Sequence, residues 1–264
     1  MVAHRSGKGS KYVRSRLPFA VEWSSPYASK RIAMKLEARL KRMSRQAKEA
    51  LIRTGPGCRY EAPTGNPLLR SFRQFQGGSD EIRPHRALDS DPDFQDFCQE
   101  LHRRYSWGIP DEEALDIIAS NGPLVEMGAG LGYWASLLRA KGADVVAMDG
   151  NVPGASMINP WHPGRVYFTP VQPGRPEDLS RYSRRTLFLC WPPMKALDES
   201  ASMAIGCLNH WSGKKLILVG DPDFVAGSEF HDRLSSEFFL RLLKPLPSLP
   251  PAAADSLTIW ERRT

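Results

Sequence analysis

The stretch PLVEMGAGLGYWASLLRAKGADVVAMDG, Pro123 to Gly150, decides the fold. Its apolar run Leu124 to Met127 predicts a buried strand, and Tyr133 to Lys141 carries the three-and-four spacing of an amphipathic helix. A second apolar run, Asp144 to Met148, ends in the acid Asp149. Between the first strand and the helix lie Gly128, Ala129, Gly130 and Gly132, and the absent β-carbons of the three glycines allow a sharp turn and let a ligand approach the backbone. A dinucleotide fingerprint needs Gly-x-Gly-x-x-Gly. Here the third glycine comes one position early and Glu126 precedes the first by two, so pyrophosphate is disfavoured as the ligand. Asp149, at the end of the second strand, is placed to accept hydrogen bonds from both hydroxyls of a ribose.

Working outward, further strands are expected at Arg165 to Phe168, Thr186 to Cys190, Lys215 to Val219 and Ser256 to Glu261, with helices at Ala196 to Asn209 and Ser228 to Leu243. Short apolar runs alternating with helical stretches predict an α/β fold: a doubly wound, mostly parallel, seven-stranded Rossmann-like sheet with helices on both faces. Upstream, Asp93 to Tyr105 and Asp111 to Ala119 read as helices, the second with a dipole-complementing Asp-Glu-Glu start. Residues 54 to 92, rich in Gly, Pro, Asn and Asp, read as a linker. The expected organisation is a basic extension over 1–92 and a catalytic-size domain over 93–264.

The extension differs from the domain in charge. Residues 1 to 60 hold fifteen Lys and Arg against three acids, a net +12, so the remaining 204 residues carry −5 of the chain's +7. Within it, Ile32, Leu36, Leu40, Met43, Ala47 and Leu51 recur at helical spacing, which predicts an amphipathic helix over about 29–53 with a basic face. That face has three readings: a solvated surface, a nonspecific contact to nucleic acid, or a targeting or membrane-surface element. Cys58, Cys98, Cys190 and Cys207 are scattered without a Cys-x-x-Cys pair, which favours free thiols and predicts no metal cluster. With no long apolar run and no leader pattern, the expected location is cytoplasmic, organelle targeting through the basic start being the alternative.

Glu126-x-Gly128-x-Gly130-x-Gly132 followed by the strand-terminal Asp149 resembles motifs I and II of the class I S-adenosylmethionine-dependent methyltransferases. The resemblance covers roughly residues 105 to 264. It implies that the glycine turn lies against the methionine part of S-adenosylmethionine, that Glu126 helps hold the ammonium group and that Asp149 holds the ribose. It also implies that Tyr105 and Trp107, in the aromatic segment Tyr105-Ser-Trp107-Gly-Ile-Pro, fold over the cofactor. The fourth strand ends Cys190-Trp191-Pro192-Pro193-Met194, at the position where amino methyltransferases carry Asp/Asn/Ser-Pro-Pro-aromatic. In that motif the polar side chain and the following carbonyl accept hydrogen bonds from the target amine.

Here Trp191 replaces the polar residue and Met194 the aromatic one. The Pro192-Pro193 pair still predicts a rigid turn with an outward carbonyl. Trp191, Pro192 and Pro193 are therefore the acceptor-side candidates. Asp221, Asp223, His162 and His231 are possible bases, should the acceptor need one. Three functions stay open: a methyltransferase for an N or O acceptor on a small molecule, peptide or protein; an RNA or DNA methyltransferase using the basic arm; or a noncatalytic binding platform. The acceptor and the oligomeric state are not readable from the sequence.

Overall fold

The structure is a computed structural model that describes residues 59–60, 62–75, 92–152, 162, 166–194, 202–252 and 254–263. The amphipathic helix expected over 29–53, most of the Gly150–Gly164 loop, Cys58 and residues 195–201 lie outside them. The chain divides into two compact units, Met1–Gly57 and Cys58–Thr264. The second is described below.

In chain order its elements are β1 (Arg59–Tyr60), α1 (Pro67–Phe75), α2 (Pro92–Arg104), α3 (Glu112–Ser120), β2 (Leu124–Met127), α4 (Tyr133–Ala140), β3 (Val145–Asp149), β4 (Val166–Tyr167) and β5 (Gln172–Pro173). A 3-10 turn over Pro176–Tyr182 leads to β6 (Thr186–Cys190), α5 (Met203–His210), β7 (Lys215–Gly220), α6 (Ser228–Glu237), β8 (Phe238–Pro245) and β9 (Ser256–Arg262). Seven strands form one sheet in the order β5-β3-β2-β6-β7-β9-β8. Neighbours pair parallel except that β9 runs antiparallel to both β7 and β8. The expected doubly wound, mostly parallel, seven-stranded Rossmann-like sheet is thus what the chain forms.

Both faces of the sheet are covered, which explains the unbroken apolar runs of its central strands. Leu124, Phe188, Ile217 and Val219 pack on one side with Trp134, Leu137 and Leu138 of α4. Val125, Leu187, Leu189, Leu216 and Leu218 pack on the other with Ile205, Leu208, Phe230 and Leu234. The chain leaves β2 toward β3 and β5, then crosses back to β6 and β7. The point where direction reverses lies between β2 and β6, and ligands of such sheets bind outside the strand ends there.

Three expectations are corrected. The helix expected over Ser228 to Leu243 stops at Glu237, and Phe238–Pro245 forms the edge strand β8. The apolar stripe Phe230, Leu234, Phe238, Leu242 keeps a four-residue period into the strand, which hides the change. The strand expected at Arg165 to Phe168 is the short β4, which pairs with β1 away from the main sheet. The third strand on that side of the sheet is instead Gln172–Pro173, where proline is tolerated because the strand is an edge. The helix expected from Ala196 is described from Met203, with Ser202 accepting from the Ile205 amide as its cap.

Helix α1 lies in the stretch read as linker, yet its Leu68, Leu69 and Phe72 are buried in the core. Asn66 ties it down: its side-chain amide donates to Pro110 O (2.6 Å), and its Oδ1 accepts from the Tyr133 hydroxyl at 2.8 Å. No described helix is long and apolar enough to cross a membrane.

Candidate active site

The glycine turn is built from backbone geometry that only glycine adopts readily. Gly128 and Gly130 have φ of +80° and +55°. A β-carbon at Gly130 would also come within 2.7 Å of the His162 ring. The turn is anchored to the neighbouring strand: the amides of Gly128 and Ala129 both donate to Met148 O at 2.9 Å. Gly132 then caps α4, whose Tyr133 and Trp134 point into the core. The Trp134 indole donates to Ser106 Oγ at 3.0 Å and so pins the aromatic segment above the turn.

Asp149 is 5 % exposed and braces the loops around it. Its Oδ2 accepts from the Gly130 amide and its Oδ1 from the Asn151 amide, both at 2.8 Å. Each carboxylate oxygen has a second lone pair, so the group still has capacity for two hydroxyl donors. Burial raises its pKa, and the two amides pull it back down. The sequence pointed to Asp149 as a ligand residue but gave no sign that it also braces the glycine turn.

Glu126 is 2 % exposed, and its Oε2 has no hydrogen-bond partner. Burial pushes its carboxyl up to about 8, with Asp149 adding to the rise and Arg139 and the Ala135 amide opposing it. An orphaned buried oxygen of this kind is costly unless something donates to it. Glu126, Gly128, Ala129 and Asp149 all line one cavity of about 510 Å³, within the range of small-molecule and cofactor sites. Tyr105, Trp107, His162, Trp191, Pro192 and Pro193 line it as well.

On the far side of the cavity the strand end of β6 carries aromatic surface. Trp107 and Trp191 pack with ring centroids 5.3 Å apart, and Trp191 and Phe224 lie at 6.5 Å in a stacked arrangement. Behind Trp107, His102 stacks at 4.5 Å with its ring nitrogens 3.3 and 3.0 Å from Ser106 O and Pro250 O. Burial lowers the His102 pKa against the pull of those carbonyls.

Trp191 has φ of +49°, a left-handed conformation uncommon for a bulky residue and concentrated at functional sites. Its indole N–H donates to Asp255 Oδ1 at 2.9 Å. Asp255 is buried with Oδ2 unpartnered, and its carboxyl is pushed up to about 8 by burial and by Asp221, against the Trp191 bond.

The outward carbonyl expected at the Pro192-Pro193 turn is corrected in one respect: Pro192 O accepts from the Ala226 amide at 2.9 Å, so one of its lone pairs is used inside the protein. Asp221 is likewise committed, accepting from the amides of Asp223 and Ala254, and neither Asp221, Asp223 nor His231 borders the cavity. Burial pushes His162 down to about 4. Among the described residues no group of three or more His, Cys, Asp or Glu is placed to hold a metal. Sequence reading missed Asp255 entirely, since nothing in Ala-Ala-Ala-Asp255-Ser marks it.

No family model matches the chain. A stretch of 52 residues, 20% of the chain, is 46% identical to a UPF0213 protein of Streptococcus pneumoniae and spans 52% of that protein. A UPF0213 protein of Bacillus cereus is 42% identical over 52 residues, 54% of its length. The chain spans about half the length of the curated relatives it matches. Among solved structures, magnesium protoporphyrin IX methyltransferase from Synechocystis PCC 6803, with bound S-adenosylmethionine, superposes with a TM-score of 0.36 at 12% identity over 70% of this chain and all of that one. The N-methyltransferase NodS from Bradyrhizobium japonicum WM9, in complex with S-adenosylhomocysteine, gives 0.38 at 11% identity over 75% and 99%. The strand order and the site geometry stand independently of these superpositions.

Proposed function

We propose that the chain is an S-adenosylmethionine-dependent methyltransferase acting on an N or O acceptor of a small molecule, peptide or protein. The observation that carries this reading is the unpartnered oxygen of Glu126 beside a left-handed glycine turn, with Asp149 lining the same cavity. The residues fit the cofactor: Glu126 Oε2 lacks the donor that an ammonium group supplies, Gly128 and Ala129 line the cavity where the methionine chain would lie while Gly130 and Gly132 shape the turn behind them, and Asp149 keeps free lone pairs for the ribose. When bound, S-adenosylmethionine would supply an electrophilic methyl group on its sulfonium, with Glu126 holding the ammonium group and Asp149 the ribose. The protein's part is to hold both partners in line and keep water out, which supplies much of the acceleration in such transfers.

Two other readings have their own observations. The excess of basic residues in 1–60 favours an RNA or DNA acceptor, and the atypical Trp191 favours a noncatalytic platform. Calorimetric titration with S-adenosylmethionine, then with RNA at two salt concentrations, separates them. Cofactor heat without RNA affinity supports the first reading, salt-sensitive RNA affinity the second. Absence of any cofactor heat overturns both enzymatic readings.

A further inference from the structure

At the β6 strand end, two features that would orient an acceptor by hydrogen bonding are engaged inside the protein, the indole N–H outright and the Pro192 carbonyl through one of its lone pairs. Trp191 stands where a polar side chain would reach for the acceptor, and its side-chain N–H is bonded to Asp255. The carbonyl of Pro192 is bonded to the Ala226 amide. What this wall offers the cavity is ring surface: Trp107, Trp191 and Phe224 form a continuous row. The row continues to the mouth, where Phe224 and Met194 are 41 % and 50 % exposed although both line the cavity. Large apolar groups left in water beside a concave site mark a place where apolar surface is received.

We propose, resting on the methyltransferase reading, that the acceptor is a planar conjugated ring that stacks on Trp191, and that Asp255 is the positioning residue that sets the plane of that indole. The indole sits in a left-handed backbone conformation that it does not adopt by preference. The bond to Asp255 holds the edge of the indole, beside the ring contacts to Trp107 and Phe224. Asp255 is held in turn, its amide donating to Ser248 Oγ at 2.8 Å and its neighbour Ala254 donating to Asp221. Offset stacking on a fixed indole favours flat, polarisable rings over saturated ones of equal size, because it adds a geometric preference to apolar burial. The acceptor would then be presented by shape, with its nucleophilic atom at the ring edge nearest the glycine turn.

The test uses the full chain saturated with S-adenosylhomocysteine, whose binding is measured first by calorimetry. Two probes matched in size and hydroxyl group follow: 2-naphthol, which is planar, and decahydro-2-naphthol, which is not. The naphthol is expected to bind roughly three- to tenfold tighter, the increment typical of one aromatic contact. Trp191→Leu should abolish that preference and Trp191→Phe retain most of it, each variant being compared at its own saturating S-adenosylhomocysteine concentration. Asp255→Ala should reduce naphthol affinity several-fold, and Asp255→Asn, whose side-chain oxygen can still accept from the indole, should restore it. Equal binding of the two probes, absence of naphthol binding to the saturated protein, or an intact preference in Trp191→Leu overturns the proposal while leaving the methyltransferase reading in place. Failure of Asp255→Asn to rescue what Asp255→Ala loses overturns the role given to Asp255. Absence of S-adenosylhomocysteine binding to the unaltered chain overturns both readings together.

Discussion

Glu126 and Asp255 stand at the same rim of the sheet, and each has one oxygen without a partner. Burial pushes both carboxyls up to about 8. Their surroundings separate them. Glu126 lines the cavity beside the glycine turn, whereas Asp255 does not line it and is bonded to Trp191, which does. A buried acid reads as a ligand group where a cavity gives a cation access to it, and as a brace where a side chain of the protein already occupies one of its oxygens. Similar titration therefore does not mean similar work.

The largest effect should come from Gly130→Val. It places a branched side chain at φ +55° and within 2.7 Å of His162. Titration calorimetry should find S-adenosylmethionine binding lost by at least about a hundredfold, roughly 3 kcal/mol. Asp149→Ala should do the same by releasing the Gly130 and Asn151 amides. Near-normal binding by both variants breaks the assignment of this side of the cavity.

Next is the pH dependence of stability. Both acids have folded pKa values above their unfolded ones, so the folded state binds more protons. Their contribution is fully present below about pH 4 and is lost as pH rises toward about 8. Urea denaturation across that range should show stability falling by up to about 1.4 kcal/mol per pH unit for each acid. Glu126→Gln and Asp255→Asn should each remove one share of the slope. Saturation with S-adenosylmethionine should remove the Glu126 share alone, because an ammonium partner restores the ionised form. If the cofactor removes both shares or neither, the contrast between the two acids fails.

Proton release sharpens the same contrast. Calorimetry at pH 6.5 in two buffers of different ionisation enthalpy should show roughly one proton leaving when S-adenosylmethionine binds the unaltered protein. Almost none should leave when it binds Glu126→Gln, and Asp255→Asn should release as many as the unaltered protein. Smallest of all is Arg181→Ala, which breaks an exposed ion pair to Asp178. A change below about 0.5 kcal/mol in stability and none in cofactor affinity is expected.

What the sequence revealed and what it hid follow the same division. Glu126, the glycines and Asp149 lie within 24 consecutive residues, so local periodicity and spacing were enough to place them. The strand that completes that side of the sheet was harder, because Gln172–Pro173 has no apolar pattern and is defined by pairing with Met148 and Asp149. On the other side, Trp191 was visible as an oddity, but its meaning depends on Asp255, 64 positions away. That contact exists only because Ser256 pairs with Gly220 across β7 and β9. The end of α6 was hidden for a different reason: Phe238 suits both a helix stripe and a strand start, and pairing with Arg262 decides the matter.

Since β9 runs against its neighbours, it is the beginning of this strand that reaches the functional rim, directly after the loop that follows Pro245. Among the described residues that loop does not line the cavity and reaches it by way of Asp255 and Trp191, so a change in its length would bear first on the indole. The two walls of the chamber are thus held from different parts of the chain, one within Glu126 to Asp149 and the other by way of Asp255.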